Sequence, residues 1–281
     1  MPPSGRAASA RPRLRSRRLG AADHRHRAPL LRLHGRRRKL LRGGARLKSR
    51  PARDARIAVF VKAPVPGKVK TRLCPPLSAE QAAALYAAFV ADTLDVVRGV
   101  AGARAAVCYD GAEGFADLRW LPDDPGLPLF AQRGADLGAR LKACFAELFS
   151  AGAGKAVAIG SDTPHLGADA LRAALALLDR RDLVLGPATD GGYYLIGLNA
   201  PADFLFEGIP WSTPRVFAET VRRAERRGLR VGLLPELFDV DTAADLRALE
   251  AAEPASRAPA SRRVLRTLRA RGGVPGRCER R

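Results

Sequence analysis

The chain has 281 residues, which is enough length for one large α/β domain with terminal extensions, and its formal net charge is +21. The positive charge lies at the ends: residues 1–54 contain 18 lysines and arginines against two acidic residues, and residues 251–281 contain nine against two. The near-neutral middle argues against a nucleic-acid-binding groove on the domain, and no run of about 18 apolar residues is present that could span a membrane.

The arginine-rich leader, residues 1–54, has too few apolar residues to offset the entropy of ordering, so we expect it to be disordered. Three explanations remain open: a nucleic-acid-binding arm, a targeting peptide, or translated upstream sequence with the true start near Ala55. We favour the last. Residues 251–281 are interpreted as a second basic tail. The four scattered cysteines have no metal-ligand spacing and favour a reducing, cytoplasmic compartment.

Strands and helices alternate between the two tails. Apolar, β-branched runs predict strands at 57–62, 104–110, 128–131, 155–160, 182–187, 192–198 and 230–235. Helical spacing predicts helices at 79–97, with Ser78 as its cap, and at 134–149, 168–178, 214–227 and from Thr242 onward. Strands that are apolar on both faces favour a mostly parallel sheet flanked by helices. The predicted fold class is therefore a single α/β domain over residues 55–250.

The most informative segment is IAVFVKAPVPGKVKTRL, residues 57–73. A buried strand ends at Lys62, and Gly67, Lys70 and Arg72 follow in a loop that also contains Lys68. Glycine lets a backbone approach a ligand closely, and the cations can neutralise phosphate. A solvated basic loop is the simpler alternative.

A second segment, GSDTPHL, follows the apolar strand KAVAIG and places Asp162 at a strand end. Parallel strands present ligand-binding residues at their carboxyl ends, and an aspartate there is suited to Mg²⁺, which prefers oxygen ligands. Capping of the next helix by Ser161 or Asp162 is the alternative. His165 is assigned a packing or local polar role.

Two further segments combine turn chemistry with functional residue types. In GPATDGGYYLIGL, Asp190, Gly191 and Gly192 predict a hairpin turn, and one of the two adjacent tyrosines could line a pocket. In FDVDTAADL, Asp239 and Asp241 alternate on an extended segment and share a face. They could ligate a metal, while Thr242 caps a helix.

Together these segments, with QRGADLGARL and PWST, resemble a bacterial family of transferases with the glycosyltransferase-A fold, the fold of the nucleotide-diphospho-sugar transferases. Some members are tied to arsenosugar biosynthesis. The resemblance covers about residues 56–250. More distantly the chain is similar to 2-phospho-lactate guanylyltransferase and to the molybdenum-cofactor nucleotidyltransferases. The resemblance implies a Rossmann-like domain that binds a nucleotide-activated donor.

The resemblance also implies roles for individual residues. The phosphates would be held by Lys62, Lys70 and Arg72 beside Gly67, with Lys70, Arg72 and Asp162 as the catalytic groups. Mg²⁺ or Mn²⁺ would be bound by Asp162, with Asp241 or Asp239 as a second acidic ligand. Three residues of the 132–140 segment would flank the nucleoside: Gln132, Gly138 and Arg140. Residues of the turn and of PWST would face the acceptor or sugar: Asp190, Gly191, Gly192 and Tyr193, with Trp211 and Ser212. Trp211 could equally fill the core.

Three functions follow as hypotheses. The first is a cytoplasmic, Mg²⁺-dependent transferase that moves a sugar from a nucleotide sugar to a small-molecule acceptor. The second is a nucleotidyltransferase, in which a phosphorylated or carboxylated acceptor attacks a nucleoside triphosphate and releases pyrophosphate. Ser161-Asp162-Thr163 in place of an Asp-x-Asp pair leans towards this second reaction, whereas the absence of a Leu-Ala-Gly-Gly loop argues against it. The third, a nucleic-acid-binding protein that uses its basic tails, is disfavoured by the near-neutral middle.

Overall fold

The computed structural model describes residues 54–110, 127–252, 254 and 257–270. The leader up to residue 53 and residues 271–281, about which the sequence made predictions, lie outside the described residues. In the part of the chain that is described, no helix has both the length and the apolar character required to cross a membrane.

Seven strands and six α-helices make up the described fold. The strands are β1 (Ala55–Lys62), β2 (Ala103–Asp110), β3 (Leu129–Ala131), β4 (Lys155–Ile159), β5 (Leu183–Pro187), β6 (Tyr193–Leu198) and β7 (Val231–Leu233). The helices are α1 (Ala79–Arg98), α2 (Leu137–Ser150), α3 (Ala168–Leu177), α4 (Val216–Arg226), α5 (Ala243–Ala251) and α6 (Pro259–Ala270). Short 3₁₀ helices cover Thr71–Leu73 and Asp203–Leu205.

The strands form one sheet in the order β3-β2-β1-β4-β6-β5-β7. All neighbouring pairs are parallel except those of β6, which runs antiparallel to β4 and to β5. The predicted α/β class and mostly parallel sheet are confirmed. Because β6 is reversed, its first residues meet the carboxyl ends of β1, β4 and β5 at one edge, where α/β sheets bind ligands.

The sheet separates two apolar clusters, because successive side chains of a strand point to opposite faces. In β1, Ile57 and Val59 pack on the side of α1, α3, α5 and α6, whereas Ala58 packs on the side of α2 and α4. The predicted cap of α1 is confirmed, since Ser78 and Gln81 form a reciprocal capping box.

Helix α6 lies within residues 251–281, which the sequence analysis interpreted as a basic tail. It packs against α1, and Leu265 and Leu268 are buried. Its first turn is held by the buried carboxylate of Asp92, which accepts hydrogen bonds from the backbone N–H groups of Ala260 and Ser261, both at 2.8 Å, and from the Ser261 hydroxyl. The packed fold therefore extends to Ala270.

His165 gives the folded protein a predictable response to pH. It is buried against Phe238, with ring centroids 4.2 Å apart, and neither ring nitrogen has a partner among the described residues. Burial, with repulsion from Arg257 and Arg262, lowers the pKa of His165 to about 4. The unfolded histidine titrates near pH 6.5, so its contribution to stability is complete above that pH and is lost as the pH falls towards 4.

We expect this loss to amount to about 2 kcal/mol between pH 7.5 and pH 5. His165→Phe keeps a planar ring against Phe238 and removes the titrating group. Thermal unfolding of both proteins across that pH range should show a steeper decline for the wild type. Parallel profiles would contradict the assignment of a neutral, buried histidine.

Candidate nucleotide and acceptor site

Two adjoining cavities open at the edge where β1 and β4 end and β6 begins. The larger has a volume of about 610 Å³ and the smaller about 270 Å³. Lys62, Tyr86 and Asp162 line both. The larger volume is within the range of small-molecule and cofactor sites.

The basic loop after β1 forms the wall of the smaller cavity, which Lys62, Lys68, Lys70 and Arg72 line together with Asp162 and Asp241. Lys62 and Lys68 are exposed, and Gly67 has φ +74° with open space around it. The loop therefore presents three cations to solvent, while the fourth, Lys70, points inwards.

Lys70 forms the tightest ionic contact of the site. Its Nζ lies 2.6 Å from Asp162 Oδ1 and 2.8 Å from Asp241 Oδ1, and its side chain is 4% exposed. Burial by itself would lower the pKa of Lys70, but the two carboxylates outweigh it and raise the pKa above the usual value. The ammonium therefore stays charged and joins two distant parts of the chain.

A backbone hydrogen bond brings these carboxylates together. The N–H of Val240 donates to the carbonyl of Asp162 at 2.8 Å, so residues 239–241 lie beside the end of β4. Arg72 Nη1 is 3.9 Å from Asp241 Oδ2. Helix α3 begins after Gly167, so neither Ser161 nor Asp162 caps it.

Asp239 is separated from this cluster. Its Oδ1 accepts a hydrogen bond from Thr163 Oγ1 at 2.5 Å, and it lines the larger cavity rather than the smaller one. Burial raises the pKa of Asp239 to about 6, with the carboxylates of Asp162, Asp190 and Asp241 adding to the effect and the Thr163 bond opposing it. Within the described ranges, no three acidic, histidine or cysteine residues form a preformed metal site.

Tyr86 is a site residue that the sequence analysis missed. Its hydroxyl accepts a hydrogen bond from the backbone N–H of Lys62 at 2.9 Å and lies 2.8 Å from Ser161 Oγ. The Lys70 ammonium is 5.9 Å from the centre of the Tyr86 ring and 5.5 Å from that of Phe89. Tyr86 thus ties the end of β1 to the loop that carries Asp162. In the sequence, Tyr86 is one of several apolar and aromatic residues at helical spacing in α1, a pattern that predicts core packing and does not indicate a site residue.

The segment predicted to flank a nucleoside lies across the larger cavity. Gln132 Nε2 donates to the carbonyls of Val61 and Cys108, at 3.1 and 3.0 Å, and so bridges the ends of β1 and β2. Arg140 donates to Gln132 Oε1 at 3.2 Å and to Asp110 Oδ2 at 3.0 Å. Both side chains line the larger cavity in fixed orientations.

The start of α2 packs closely against Trp211. A Cβ at Gly138 would lie 2.5 Å from Trp211 Nε1 and 2.6 Å from the carbonyl oxygen of Phe206. Trp211 also lines the larger cavity and contacts Tyr193 edge to face, with centroids 6.5 Å apart. Trp211 therefore both packs against the core and lines the cavity.

Gly138→Ala should destabilise the protein even though alanine favours helix formation. The added methyl meets a backbone oxygen that cannot move freely, and overpacking of this kind costs about 1–3 kcal/mol. Chemical denaturation measures the change. Gly99→Ala is the matched control, because the nearest atom to its added methyl is 3.5 Å away. Equal stability of the two variants would contradict the close packing.

The predicted turn between β5 and β6 forms the opposite wall. Asp190 Oδ1 accepts a hydrogen bond from the Gly192 N–H at 2.8 Å, and Gly191 has φ +87° with Pro214 against it, so a Cβ there would lie 2.2 Å from the Pro214 carbonyl oxygen. Ser212, in the facing PWST segment, has φ 61°, which is unusual for a residue with a side chain. Asp190, Gly192 and Ser212 line the larger cavity.

Comparison with known proteins identifies the family. Residues 93–213 match the family model described as "Uncharacterized protein conserved in bacteria (DUF2064)". A crystal structure from Desulfovibrio desulfuricans G20, provisionally described as a nucleotide-diphospho-sugar transferase, is 35% identical, covers 79% of this chain and 99% of its own, and superposes with a TM-score of 0.71. The chain belongs to this family, DUF2064. Among curated proteins there is no match.

Two further structures match this DUF2064 protein at low identity and with TM-scores below 0.5. A cytidylyltransferase from Leptospira borgpetersenii serovar Hardjo-bovis is 12% identical, with 81% of this chain and 99% of that chain covered and a TM-score of 0.47. Glucosyl-3-phosphoglycerate synthase from Mycobacterium tuberculosis, in complex with Mn²⁺ and UDP, is 14% identical, with 80% and 82% covered and a TM-score of 0.43. The match to DUF2064 and the 35% identical relative confirm the predicted resemblance to the nucleotide-diphospho-sugar transferase superfamily.

Proposed function

We propose that this DUF2064 protein is a divalent-cation-dependent transferase that takes a sugar from a nucleotide sugar and transfers it to a small acceptor. The observation that carries the proposal is the smaller cavity, where the cations of residues 62–72 face Asp162 next to a cavity of small-molecule size. The 35% identical relative, provisionally described as a nucleotide-diphospho-sugar transferase, supports it.

We assign the parts of the donor from the charges that line the two cavities. Lys62, Lys68 and Arg72 suit a diphosphate in the smaller cavity, since lysine and arginine both bind phosphate oxygens. The nucleoside would lie towards Gln132 and Arg140, on the β1 side of the larger cavity. The sugar and acceptor would then lie on the β6 side.

Asp162 and Asp241 have the donor chemistry that a divalent cation requires. Both offer carboxylate oxygens, and their side chains are 47% and 40% exposed. Mg²⁺ is commonly bound by one or two carboxylates together with substrate phosphates, so the pair fits a cation that arrives with a nucleotide. When bound, such a cation supplies positive charge at the diphosphate. Asp239, held by Thr163, is placed less favourably as a ligand.

In the proposed reaction an acceptor hydroxyl attacks the anomeric carbon of the sugar, the bond from that carbon to the phosphate oxygen breaks, and a nucleoside diphosphate leaves. The acceptor proton passes to a base or to solvent. Lys62 and Arg72 would donate hydrogen bonds to the leaving diphosphate as its charge increases, and stabilising donors of this kind are each worth about 10²–10³ in rate.

Nucleotidyl transfer is a second candidate, favoured by the density of cations around the smaller cavity, which would also suit a triphosphate. The negative charge on the β6 side of the larger cavity disfavours the phosphorylated or carboxylated acceptor that nucleotidyl transfer was expected to use. Asp190 and Asp239 line that side, and neither forms an ion pair with a lysine or arginine among the described residues. An anionic acceptor would be repelled there.

Thermal unfolding of the full-length protein with nucleotide sugars and with nucleoside triphosphates, each with and without Mg²⁺, tests the proposal. A ligand at about one hundred times its dissociation constant stabilises by about 2.7 kcal/mol. A Mg²⁺-dependent shift with a nucleotide sugar is the expected result. A shift with a triphosphate alone would favour nucleotidyl transfer, and no shift with any nucleotide would contradict both functions.

A further inference from the structure

Lys70 occupies the place where Asp162 and Asp241 converge. Both Oδ1 atoms bind its ammonium at 2.6 and 2.8 Å, and almost none of the side chain reaches solvent. The ammonium is therefore buried, whereas the two carboxylates that bind it remain partly exposed. A cation that takes both Oδ1 atoms can bind only after this ammonium has left.

The backbone holds Lys70 in this position. Its φ of 48° and ψ of 37° are left-handed, a conformation that costs a residue with a side chain about 1–2 kcal/mol. The Leu73 N–H donates to the Lys70 carbonyl at 2.9 Å and closes the 3₁₀ turn that follows. The rings of Tyr86 and Phe89 lie beneath the ammonium. The conformation thus aims the side chain at the carboxylates.

The other cations of the loop are differently placed. Lys62 and Lys68 are exposed, and the Arg72 side chain is 72% exposed with its closest guanidinium nitrogen 3.9 Å from Asp241. A nucleotide phosphate entering the smaller cavity would meet these cations first. It would then offer the Lys70 ammonium an alternative anionic partner.

We propose that Lys70 acts as an internal counter-ion that competes with the divalent cation, so that the free protein binds the cation weakly and binds it tightly only together with nucleotide phosphate. The role of the nucleotide in this inference rests on the proposed function, whereas the competition between Lys70 and the cation at Asp162 and Asp241 does not. Coupling between two ligands commonly changes each affinity by about 5- to 150-fold, and the change is reciprocal.

The test is a Mn²⁺ titration of the full-length protein without nucleotide, followed by the electron paramagnetic resonance signal of unbound Mn²⁺. The wild type should bind Mn²⁺ weakly. Lys70→Met, which keeps the length of the side chain and removes its charge, should bind one Mn²⁺ at least about tenfold more tightly. Lys142→Met is the control, because Lys142 pairs with Asp203 and Glu207 and lines neither cavity, so this variant should behave like the wild type.

The double variant Lys70→Met/Asp162→Asn shows whether the gained ion lies at this site, because it should lose the tight binding. Equal Mn²⁺ affinity in the wild type and Lys70→Met, including no binding by either, would overturn the proposal. If Lys70→Met does not fold, as judged by circular dichroism, Lys70→Gln replaces it. Tight, stoichiometric binding of Mn²⁺ by the free wild type would overturn the proposal without any variant.

Failure of this inference differs from failure of the proposed function. The titration uses neither nucleotide nor activity, so a wild type that binds Mn²⁺ tightly can still be a nucleotide-using transferase. Conversely, a protein that binds no nucleotide in the thermal-unfolding experiment could still show the Lys70 effect on Mn²⁺.

Discussion

Asp162→Asn is expected to reduce the Mg²⁺-dependent affinity for the nucleotide donor by about 10²-fold or more while leaving the fold intact. The Asp162 carboxylate lines both cavities, and we assign it to the divalent cation that would accompany the donor diphosphate. The fold should persist because the contact that joins Asp162 to Val240 uses the Asp162 backbone carbonyl. Calorimetric titration with the nucleotide found by thermal unfolding measures the change.

Asp179→Asn is the matched control. Asp179 pairs with Lys155 at the start of β4, so it lies at the opposite end of the strand that leads to Asp162. This variant should bind the donor like the wild type. Unchanged donor affinity in Asp162→Asn, measured with Mg²⁺ present, would remove Asp162 from the site.

Asp92→Ala is expected to destabilise the protein by about 3 kcal/mol. Asp92 is 2% exposed, and its loss leaves two backbone N–H groups and a hydroxyl at the start of α6 without their acceptor. An unsatisfied buried polar group costs about 1–3 kcal/mol. Burial raises the pKa of Asp92 more strongly than its hydrogen bonds lower it, so the net effect of the site disfavours the charged form of this carboxyl group. Denaturant unfolding measures the loss.

Asp95→Ala, on the exposed face of the same helix, is the control. Asp95 forms an ion pair with Arg98 at 3.3 Å, and exposed pairs contribute little. Its stability should lie within about 0.5 kcal/mol of the wild type. Similar stabilities for Asp92→Ala and Asp95→Ala would show that Asp92 does not anchor α6.

The sequence predicted the sheet and most helices because their signals are local. Helix α1 has an apolar face and its own cap at Ser78, and β1 and β4 are short apolar runs bounded by polar loops. Helix α6 lacked such signals. Arginines separate its few apolar residues, and the group that holds its first turn, Asp92, is 168 residues from Ala260 in the sequence. A cap supplied from so far away cannot be found by local spacing.

The site was predictable in outline and not in its contacts. Strand ends placed Asp162 near the basic loop, and the alternation of Asp239 and Asp241 on an extended segment made both candidate ligands independently of the family resemblance. The insertion of Lys70 between them depends on a left-handed backbone at a lysine and on a contact across 171 residues, neither of which has a sequence pattern. Tyr86 was indistinguishable from a core aromatic residue. Asp239 and Asp241 share an extended segment, yet only Asp241 reaches Lys70.

The central claim is that the cations of the basic loop bind a diphosphate whose divalent cation is held by Asp162. Pyrophosphate with Mg²⁺ tests this claim without knowledge of the base or the sugar. Calorimetric titration of the full-length protein should show one saturable site. Asp162→Asn and Arg72→Met should each weaken it by about tenfold or more, and Asp179→Asn should not. The absence of saturable binding, or an affinity that Arg72→Met and Asp162→Asn leave unchanged, would contradict the account.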